Sequence, residues 1–173
     1  MFKKEIFFRG GIINSKSYYK NLKKTKKIFN SFLIDLKNFK IPLFESYEKD
    51  YEFDFSTATI KKFSRYKNII VIGMGGSILG TKSIYSFLKK KIKKKVFFFD
   101  NLDESLHLQF NEIKDLKNFC FIIVSKSGNT LETIANLSVV FSKSFIKNKL
   151  VFITEMRDNA LNDIANRFKA EII

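Results

Sequence analysis

The spacing of apolar residues changes near residue 67 of this 173-residue chain. Between residues 18 and 39, apolar side chains recur every three or four positions, which is the period of one long amphipathic helix. That helix is predicted to end before Pro42. Residues 43–57 mix aromatic and acidic side chains without a sustained period, which predicts an irregular connection to a short helix over residues 59–66. Residues 1–66 are therefore predicted to form an N-terminal helical extension.

From residue 67 onward, short apolar runs alternate with helical periods. The runs are continuous, as is typical of strands covered on both faces of a parallel sheet. Four strands are predicted at residues 69–72, 96–99, 119–124 and 150–153, and a fifth at Ile172 and Ile173. Apolar residues at helical spacing mark the helices between them: Ile84, Phe87 and Leu88; Leu106, Phe110 and Ile113; Leu131, Ile134, Leu137, Phe141 and Phe145; Ala160, Leu161, Ile164 and Phe168. The predicted fold class is α/β, a doubly wound five-stranded parallel sheet, in which ligands bind at the carboxyl ends of the strands.

Composition excludes several classes of protein. A hydrophobic content of 45% with 16% aromatic residues is too high for a disordered chain. The only cysteine, Cys120, cannot form an internal disulfide, which favours a reducing, cytoplasmic setting. The longest apolar stretch, residues 119–124, is far shorter than the roughly 20 residues of a membrane helix. Because Glu5 and Arg9 interrupt the apolar residues at the N-terminus, no signal peptide is expected either.

The net charge of +15 raises the question of a polyanionic partner. Lysine is used heavily alongside Asn, Ile and Phe, residues that AT-rich codons encode, so codon bias alone can raise the charge. The lysine clusters at residues 23–27 and 89–95 fall at predicted helix ends or polar faces, where solvated lysines are common. A nucleic-acid partner is therefore not expected, and one would show binding that weakens steeply with salt.

The first candidate site is a glycine-rich loop, GMGGSILG, at residues 73–80, between the first strand and a helix. The backbone N–H groups of Gly75 and Gly76 can approach an anion closely, and Ser77 is predicted to be the N-cap, with a hydroxyl that can turn to the ligand. The dinucleotide fingerprint needs a glycine where Ile78 stands, and the Walker motif is absent. The loop predicts a phosphate site, and a tight turn without a ligand is the alternative.

The second candidate site is the loop SKSGNT at residues 125–130, between the third strand and a helix. Its donors suit a phosphate dianion, and they belong to Ser125, Lys126, Ser127, Asn129 and Thr130. Hydrogen bonds to a charged group contribute roughly 1.5–3 kcal/mol each, so several of them could anchor a sugar phosphate. A capping turn rich in Ser and Thr is the alternative. Because the first and third strands are neighbours in such a sheet, both loops are expected to face one crevice.

Two other polar residues lie close to these loops in the sequence. Glu132 falls in the first turn of the helix after the second loop, where it either points into the crevice or interacts with the helix dipole. His107, the only histidine, is expected to be structural or solvated rather than part of the site. One Cys and one His cannot build a zinc site, so no metal site is predicted.

Both loops resemble segments of the glucose-6-phosphate isomerase family. IGMGGSILG at residues 72–80 resembles I-G-[IM]-G-G-S-x-L-G, SKSGNTLET at residues 125–133 resembles S-K-[ST]-x-x-T-x-E-T, and NLD at residues 101–103 is similar to N-x-D. A generic sugar-isomerase (SIS) domain would share only the outline. The chain departs from the family at Thr81, where a proline is usual, and at Leu106, where a histidine is common. Neither change alters the phosphate chemistry.

The resemblance implies a SIS-type, flavodoxin-like domain over residues 67–173 that interconverts glucose 6-phosphate and fructose 6-phosphate in glycolysis and gluconeogenesis. It implies neither a metal nor an organic cofactor. It places the substrate phosphate on Gly75, Gly76, Ser77, Ser125, Lys126, Ser127 and Thr130. Glu132 would support a ring-opening histidine, a catalytic role that is only auxiliary.

The family's base glutamate, arginine, histidine and C-terminal lysine would all lie beyond Ile173. The domain is therefore expected to be truncated at its C-terminus, to carry the phosphate-binding half of the site and to have little or no activity alone. For the full-length protein, the resemblance implies a homodimer.

Two other functions fit parts of the pattern. A stand-alone SIS-type regulator that binds a sugar phosphate needs no catalytic carboxylate, so it fits 173 residues well, and a stop codon after Ile173 would favour it. A dinucleotide-binding domain could use Asp100, near the end of the second strand, as a ribose ligand. The loop at residues 125–130 argues against the second of these.

Overall fold

The computed structural model describes residues 14–38, 42–113, 116–143 and 149–173. The chain forms two compact units, Met1–Phe53 and Asp54–Ile173. Phe39 and Phe145, each expected near a helix end, lie outside the described residues, as do residues 1–13, in which no signal peptide is expected. Among the described helices, none combines the length and apolar character that crossing a bilayer requires.

Residues 14–38 and 42–53, the described part of the first unit, contain one long helix and one short one. Helix α1 spans Ser15–Lys37, and Asn14 is its N-cap, with Oδ1 accepting from the N–H groups of Lys16 and Ser17 at 2.9 and 3.3 Å. The stretch predicted to be irregular begins with a 3₁₀ helix, Pro42–Tyr47, which is too short to produce a visible hydrophobic period. The predicted long helix is confirmed.

The second unit is a parallel sheet with helices. Its elements are α2 (Thr57–Ser64), β1 (Asn68–Gly73), α3 (Gly76–Leu88), β2 (Lys95–Phe99), α4 (Glu104–Glu112), β3 (Phe119–Val124), α5 (Leu131–Lys143), β4 (Leu150–Ile153), α6 (Ala160–Phe168) and β5 (Glu171–Ile172). The sheet has five strands in the order β2-β1-β3-β4-β5, and all its pairings are parallel. The predicted α/β class, the five strands and the adjacency of the first and third strands are confirmed.

The core is built from alternate residues of the central strands and the apolar faces of the helices. Its fully buried side chains include Ile70, Ile72, Phe110, Phe121, Ile123, Val140, Phe152 and Leu161. A second, smaller cluster consists of Tyr66, Cys120 and Val151, with Phe63 of α2 packed against it. Burial raises the pKa of the Cys120 thiol to about 12, so this cysteine stays protonated and unreactive.

Helix α2 belongs to the unit that contains the sheet. The unit boundary lies after Phe53, whereas the sequence pattern placed the change after residue 66. The reason is a set of contacts with the last strand: Lys62 Nζ donates to Glu171 Oε2 at 2.6 Å, and Thr59 Oγ1 donates to Oε1 at 3.1 Å. These partners are more than 100 residues apart in the chain, so no local pattern indicates them.

The contacts of Glu171 predict how stability depends on pH. The hydrogen bond from Lys62 lowers the pKa of the Glu171 carboxyl below its ordinary value. A carboxylate with a lowered folded-state pKa adds stability that is present above the unfolded-state pKa, about 4.3 for glutamate, and is lost as pH falls through the folded-state pKa. We expect Glu171→Gln to be less stable than wild type at pH 7, and the difference to vanish in acid. Urea unfolding at several pH values measures it.

The matched control for this experiment is Glu52→Gln, because Glu52 is exposed and lies outside any helix or strand. This control is expected to unfold like wild type at every pH. A difference between wild type and Glu171→Gln that stayed constant from neutral to acid pH would contradict the role given to the carboxylate.

Candidate functional site

The glycine-rich loop lies at the carboxyl edge of the sheet, where β1 leads into α3. Gly75 is the N-cap of α3, with φ of 53°, a left-handed conformation that favours glycine. A Cβ at Gly75 or Gly76 would meet nothing within 4 Å, so the surface over these two residues is open. A Cβ at Gly73 would lie 3.0 Å from the Val124 carbonyl oxygen, so this glycine permits the close approach of β1 and β3. The loop has both the openness and the N–H groups that an anion requires.

The sequence predicts Ser77 as the N-cap of α3, and the structure shows that this prediction is wrong. Gly75 holds that position without a side-chain cap, and the Ser77 N–H donates to the Met74 carbonyl oxygen at 3.1 Å in the first turn. The helix begins earlier because the chain turns at Gly75 with a positive φ, which serine disfavours. Ser77 is half-buried and lines the cleft at this edge of the sheet.

The loop after β3 brings its three hydroxyl groups together. Ser125 Oγ lies 2.9 Å from Thr130 Oγ1, and Ser127 Oγ lies 3.5 Å from the same atom. Ser125 is only 2% exposed, and its Oγ accepts from the Gly128 N–H at 3.2 Å. The hydroxyls therefore form a connected set directly before α5, which begins at Leu131.

The two loops leave the sheet side by side. Strands β1 and β3 are neighbours, and Gly73, the last residue of β1, pairs with Val124, the last residue of β3. Because parallel strands end at the same edge, the N-terminal ends of α3 and α5 also lie at that edge. The partial positive charges of two helix N-termini are thus available at one place.

A cleft of about 710 Å³ opens at this edge of the sheet. Its lining residues come from the second unit and include Ser77, Lys126, Thr154 and Glu155. Lys126 is 85% exposed, and its Nζ lies 3.6 Å from Glu155 Oε1. Exposed ion pairs of this kind contribute roughly 0–1 kcal/mol, so an incoming anion can replace Glu155 at little cost. Glu155 Oε2 also lies 3.1 Å from Arg157 Nε, so the carboxylate keeps an ion-pair partner.

The turn between β4 and α6 holds the second loop in place, and none of its residues was among the predicted site residues. The Ser125 N–H donates to the Ile153 carbonyl oxygen at 3.1 Å. The Lys126 carbonyl oxygen accepts from the Glu155 N–H at 3.2 Å and from Thr154 Oγ1 at 3.5 Å. The sequence does contain a signal for this contact: polar residues, Thr154 and Glu155, directly follow β4, which is the neighbour of β3 in the sheet.

The remaining predicted residues have other surroundings. Glu132 is half-buried in the first turn of α5, where a carboxylate interacts favourably with the helix dipole. His107 Nε2 lies 3.3 Å from Oδ1 of the buried Asn136, so the histidine has the structural contact that was expected. Asp100, the possible ribose ligand of a dinucleotide site, accepts a hydrogen bond from Lys82 instead. Within the described ranges, no three or more His, Cys, Asp or Glu side chains are grouped so that they could hold a metal ion.

The family model described as "Phosphoglucose isomerase" matches residues 49–166, which include both loops and the β4–α6 turn. The chain belongs to the phosphoglucose isomerase family. The resemblance seen in the two loops is confirmed. The family match begins at residue 49, before α2.

Relatives named glucose-6-phosphate isomerase are similar to part of this phosphoglucose isomerase family member. The protein of Methanocaldococcus jannaschii is 39% identical over 110 residues, covering 61% of this chain and 27% of that protein. The protein of Borrelia garinii subsp. bavariensis is 41% identical over 85 residues, covering 46% and 16%. That of Borreliella burgdorferi strain ZS7 is 37% identical over 109 residues, covering 56% and 20%. The chain thus spans 16–27% of the length of these relatives.

Solved structures share the fold of this family member. A glucose-6-phosphate isomerase from Chlamydia trachomatis superposes with a TM-score of 0.56 at 22% identity, covering 75% of this chain and 29% of that one. A hypothetical protein from Thermus thermophilus has a TM-score of 0.59 at 24% identity, covering 65% and 28%. These likenesses establish the architecture of the sheet.

Proposed function

We propose that the protein is a glucose-6-phosphate isomerase, which interconverts glucose 6-phosphate and fructose 6-phosphate, and that this chain carries the phosphate-binding half of its site. The observation that carries the proposal is the meeting of two helix N-termini at adjacent strand ends, one beside open glycine residues and the other beside three hydroxyl groups. The identities of 37–41% to relatives of that name support the choice of substrate.

The substrate phosphate is assigned to both loops. The N–H groups of Gly75 and Gly76 with the Ser77 hydroxyl form one side, and Lys126 with the hydroxyls of Ser125, Ser127 and Thr130 forms the other. The dipoles of α3 and α5 favour a dianion at this position. Because Ser125 Oγ already accepts from the Gly128 N–H, its own proton is available to Thr130 or to the phosphate. The hydroxyl set can therefore turn its donors toward an anion without breaking the loop.

The isomerisation moves a proton between C1 and C2 of the sugar, which requires a carboxylate base and a group that stabilises the enediolate. We assign Glu132 a supporting role only and assign no base to this chain. The proposal includes a place in glycolysis and gluconeogenesis, a homodimeric full-length enzyme and a cytoplasmic location. The buried, protonated thiol of Cys120 is compatible with the reducing conditions of the cytoplasm.

The proposal predicts that fructose 6-phosphate binds and that Ser125→Ala/Thr130→Ala binds it at least about 100-fold more weakly. The variant removes two donors to a charged group, each contributing roughly 1.5–3 kcal/mol. Isothermal titration measures the affinity, with free fructose and inorganic phosphate as ligand controls. In a coupled isomerase assay the 173-residue chain is expected to show little or no turnover.

The matched control is Ser138→Ala/Ser142→Ala, which removes two exposed hydroxyls that bond only to backbone carbonyls of α5, at 2.7 Å each. This variant is expected to bind fructose 6-phosphate as wild type does. A wild-type chain that binds no sugar phosphate would contradict the proposed function. Equal binding by wild type and Ser125→Ala/Thr130→Ala would show that the phosphate lies elsewhere.

A further inference from the structure

Helix α6 begins directly behind the phosphate-binding loop, and its first N–H groups all have partners. The Ala160 N–H donates to Asn129 Oδ1 at 2.9 Å, and the Leu161 N–H donates to the Gly128 carbonyl oxygen at 3.0 Å. The Asn162 N–H donates to Oδ1 of Asn159, the N-cap residue, at 2.9 Å. Two of the three donors are therefore satisfied by the loop after β3.

This arrangement distinguishes α6 from α3. The N-terminus of α3 has no side-chain cap and open space above Gly75 and Gly76, so its N–H groups can receive a ligand. The N-terminal N–H groups of a helix need partners from outside the helix. In α6 those partners come from the loop itself, so this end of the helix serves as an anchor for the loop rather than as a third anion site.

The anchor is rigid because Asn159 packs against the back of the loop. Asn159 is 5% exposed, and its Nδ2 donates to the carbonyl oxygens of Glu155 and Arg157 at 3.2 and 3.0 Å. A Cβ at Gly128 would lie only 2.0 Å from Asn159 Oδ1, so backbone and side chain are in close contact there. The loop can therefore shift toward α6 only by displacing a side chain held by several hydrogen bonds.

Asn129 is the loop side chain that reaches this anchor. Asn129 is exposed, so its amide could be solvated by water alone. Its Oδ1 instead accepts from the N–H of Ala160, 31 residues further along the chain, and so caps α6. Asn129 lies between Gly128 and Thr130, so its position determines the direction of the backbone that carries the Thr130 hydroxyl. A binding loop held in its bound conformation loses less conformational entropy when the ligand binds.

We propose that Asn129 is a positioning residue: by capping α6 it holds the loop so that the hydroxyls of Ser127 and Thr130 are already arranged for phosphate. This inference rests on the proposed function. It assigns Asn129 an action through Ala160 rather than a contact with the substrate. It also separates the acceptor Oδ1, which carries the effect, from the donor Nδ2, which does not.

The test compares fructose 6-phosphate binding by wild type, Asn129→Ala, Ala160→Pro and the control Asn166→Ala, using isothermal titration well below the unfolding temperature. Asn166 is exposed on α6, so its variant tests the loss of an amide from the same helix. We expect Asn129→Ala to bind about 5–10-fold more weakly and its Ala160 N–H to exchange with deuterium faster. Ala160→Pro removes the N–H that Asn129 Oδ1 accepts and leaves the Asn129 amide in place. Because proline is tolerated at the first position of a helix, this variant is expected to fold and to bind about as weakly as Asn129→Ala.

Three results would overturn the positioning role of Asn129, and the last of them would also overturn the proposed function. Ala160→Pro that binds as wild type does, while Asn129→Ala binds weakly, would overturn the inference, since the Asn129 amide itself would then be what matters. A lower unfolding temperature with unchanged affinity in Asn129→Ala would also overturn it, because the role would be structural only. Failure of wild type to bind fructose 6-phosphate would overturn the proposed function and the positioning role together.

Discussion

Replacing Gly128 with alanine is expected to destabilise the second unit by about 2–5 kcal/mol and to abolish sugar-phosphate binding. Gly128 has φ of 69°, and a left-handed conformation costs a residue with a Cβ about 1–2 kcal/mol. The added Cβ would also lie 2.0 Å from Asn159 Oδ1, and overpacking of this kind costs about 1–3 kcal/mol. The displaced backbone would lose its hydrogen bonds with Ser125 Oγ and the Leu161 N–H.

Urea unfolding measures the loss of stability, and titration with fructose 6-phosphate at a temperature where the variant is folded measures the loss of binding. Gly80→Ala is the matched stability control, since Gly80 lies inside α3 and its Cβ would meet nothing within 4 Å. That variant is expected to be about 0.5–1 kcal/mol more stable than wild type, because alanine favours a helix over glycine.

A second variant separates the two causes of the Gly128→Ala effect. Adding Asn159→Ala removes the obstructing amide but leaves the strained φ, so only part of the lost stability is expected to return once the loss of the Asn159 cap is subtracted. Wild-type stability and affinity in Gly128→Ala alone would contradict the packing described at the back of the loop.

Replacing Phe121 with alanine is expected to cost about 3–5 kcal/mol of unfolding free energy. Phe121 is fully buried in β3, the middle strand of the sheet, where it pairs with Ile70 of β1 and Leu150 of β4. Domains are typically stable by only about 5–15 kcal/mol, so the loss removes a large part of the total. Because β3 leads directly into the loop that we propose binds the phosphate, partial unfolding would remove binding as well.

The matched control is Phe87→Ala, which removes the same side chain from a position that is 88% exposed on α3. Its stability is expected to stay within about 0.5 kcal/mol of wild type. Denaturant unfolding of the two variants under identical conditions makes the comparison. Equal losses of unfolding free energy in Phe87→Ala and Phe121→Ala would contradict the placement of Phe121 in the core.

Much of the fold follows from local patterns. The continuous apolar runs at residues 119–124 and 150–153 are strands over the same residues in the structure, because a strand buried on both faces leaves no polar alternation. The helical period of residues 160–168 is α6, with Asn159 capping it. These elements depend on neighbours within a few residues, which is the information that a sequence displays directly.

The chemistry of the two loops was also visible in the sequence. Hydroxyls, glycines and a lysine placed directly after strands predict an anion site, because parallel strands expose their carboxyl ends at one edge. The local pattern predicts Ser77 as the N-cap of α3, but Gly75 holds that position. The helix begins after Gly75 because this residue adopts a positive φ, and that φ depends on the path of the chain between β1 and α3.

The sequence by itself determined the type of each main element and the α/β class, and it predicts which residues hold a phosphate. Only the tertiary structure decided which distant groups complete the site and the unit. Asn129 caps Ala160, Glu155 lies beside Lys126, and Glu171 binds α2 through Lys62. Each of these contacts joins residues from different elements, so it depends on strand order and register, which no local period of apolar and polar residues encodes.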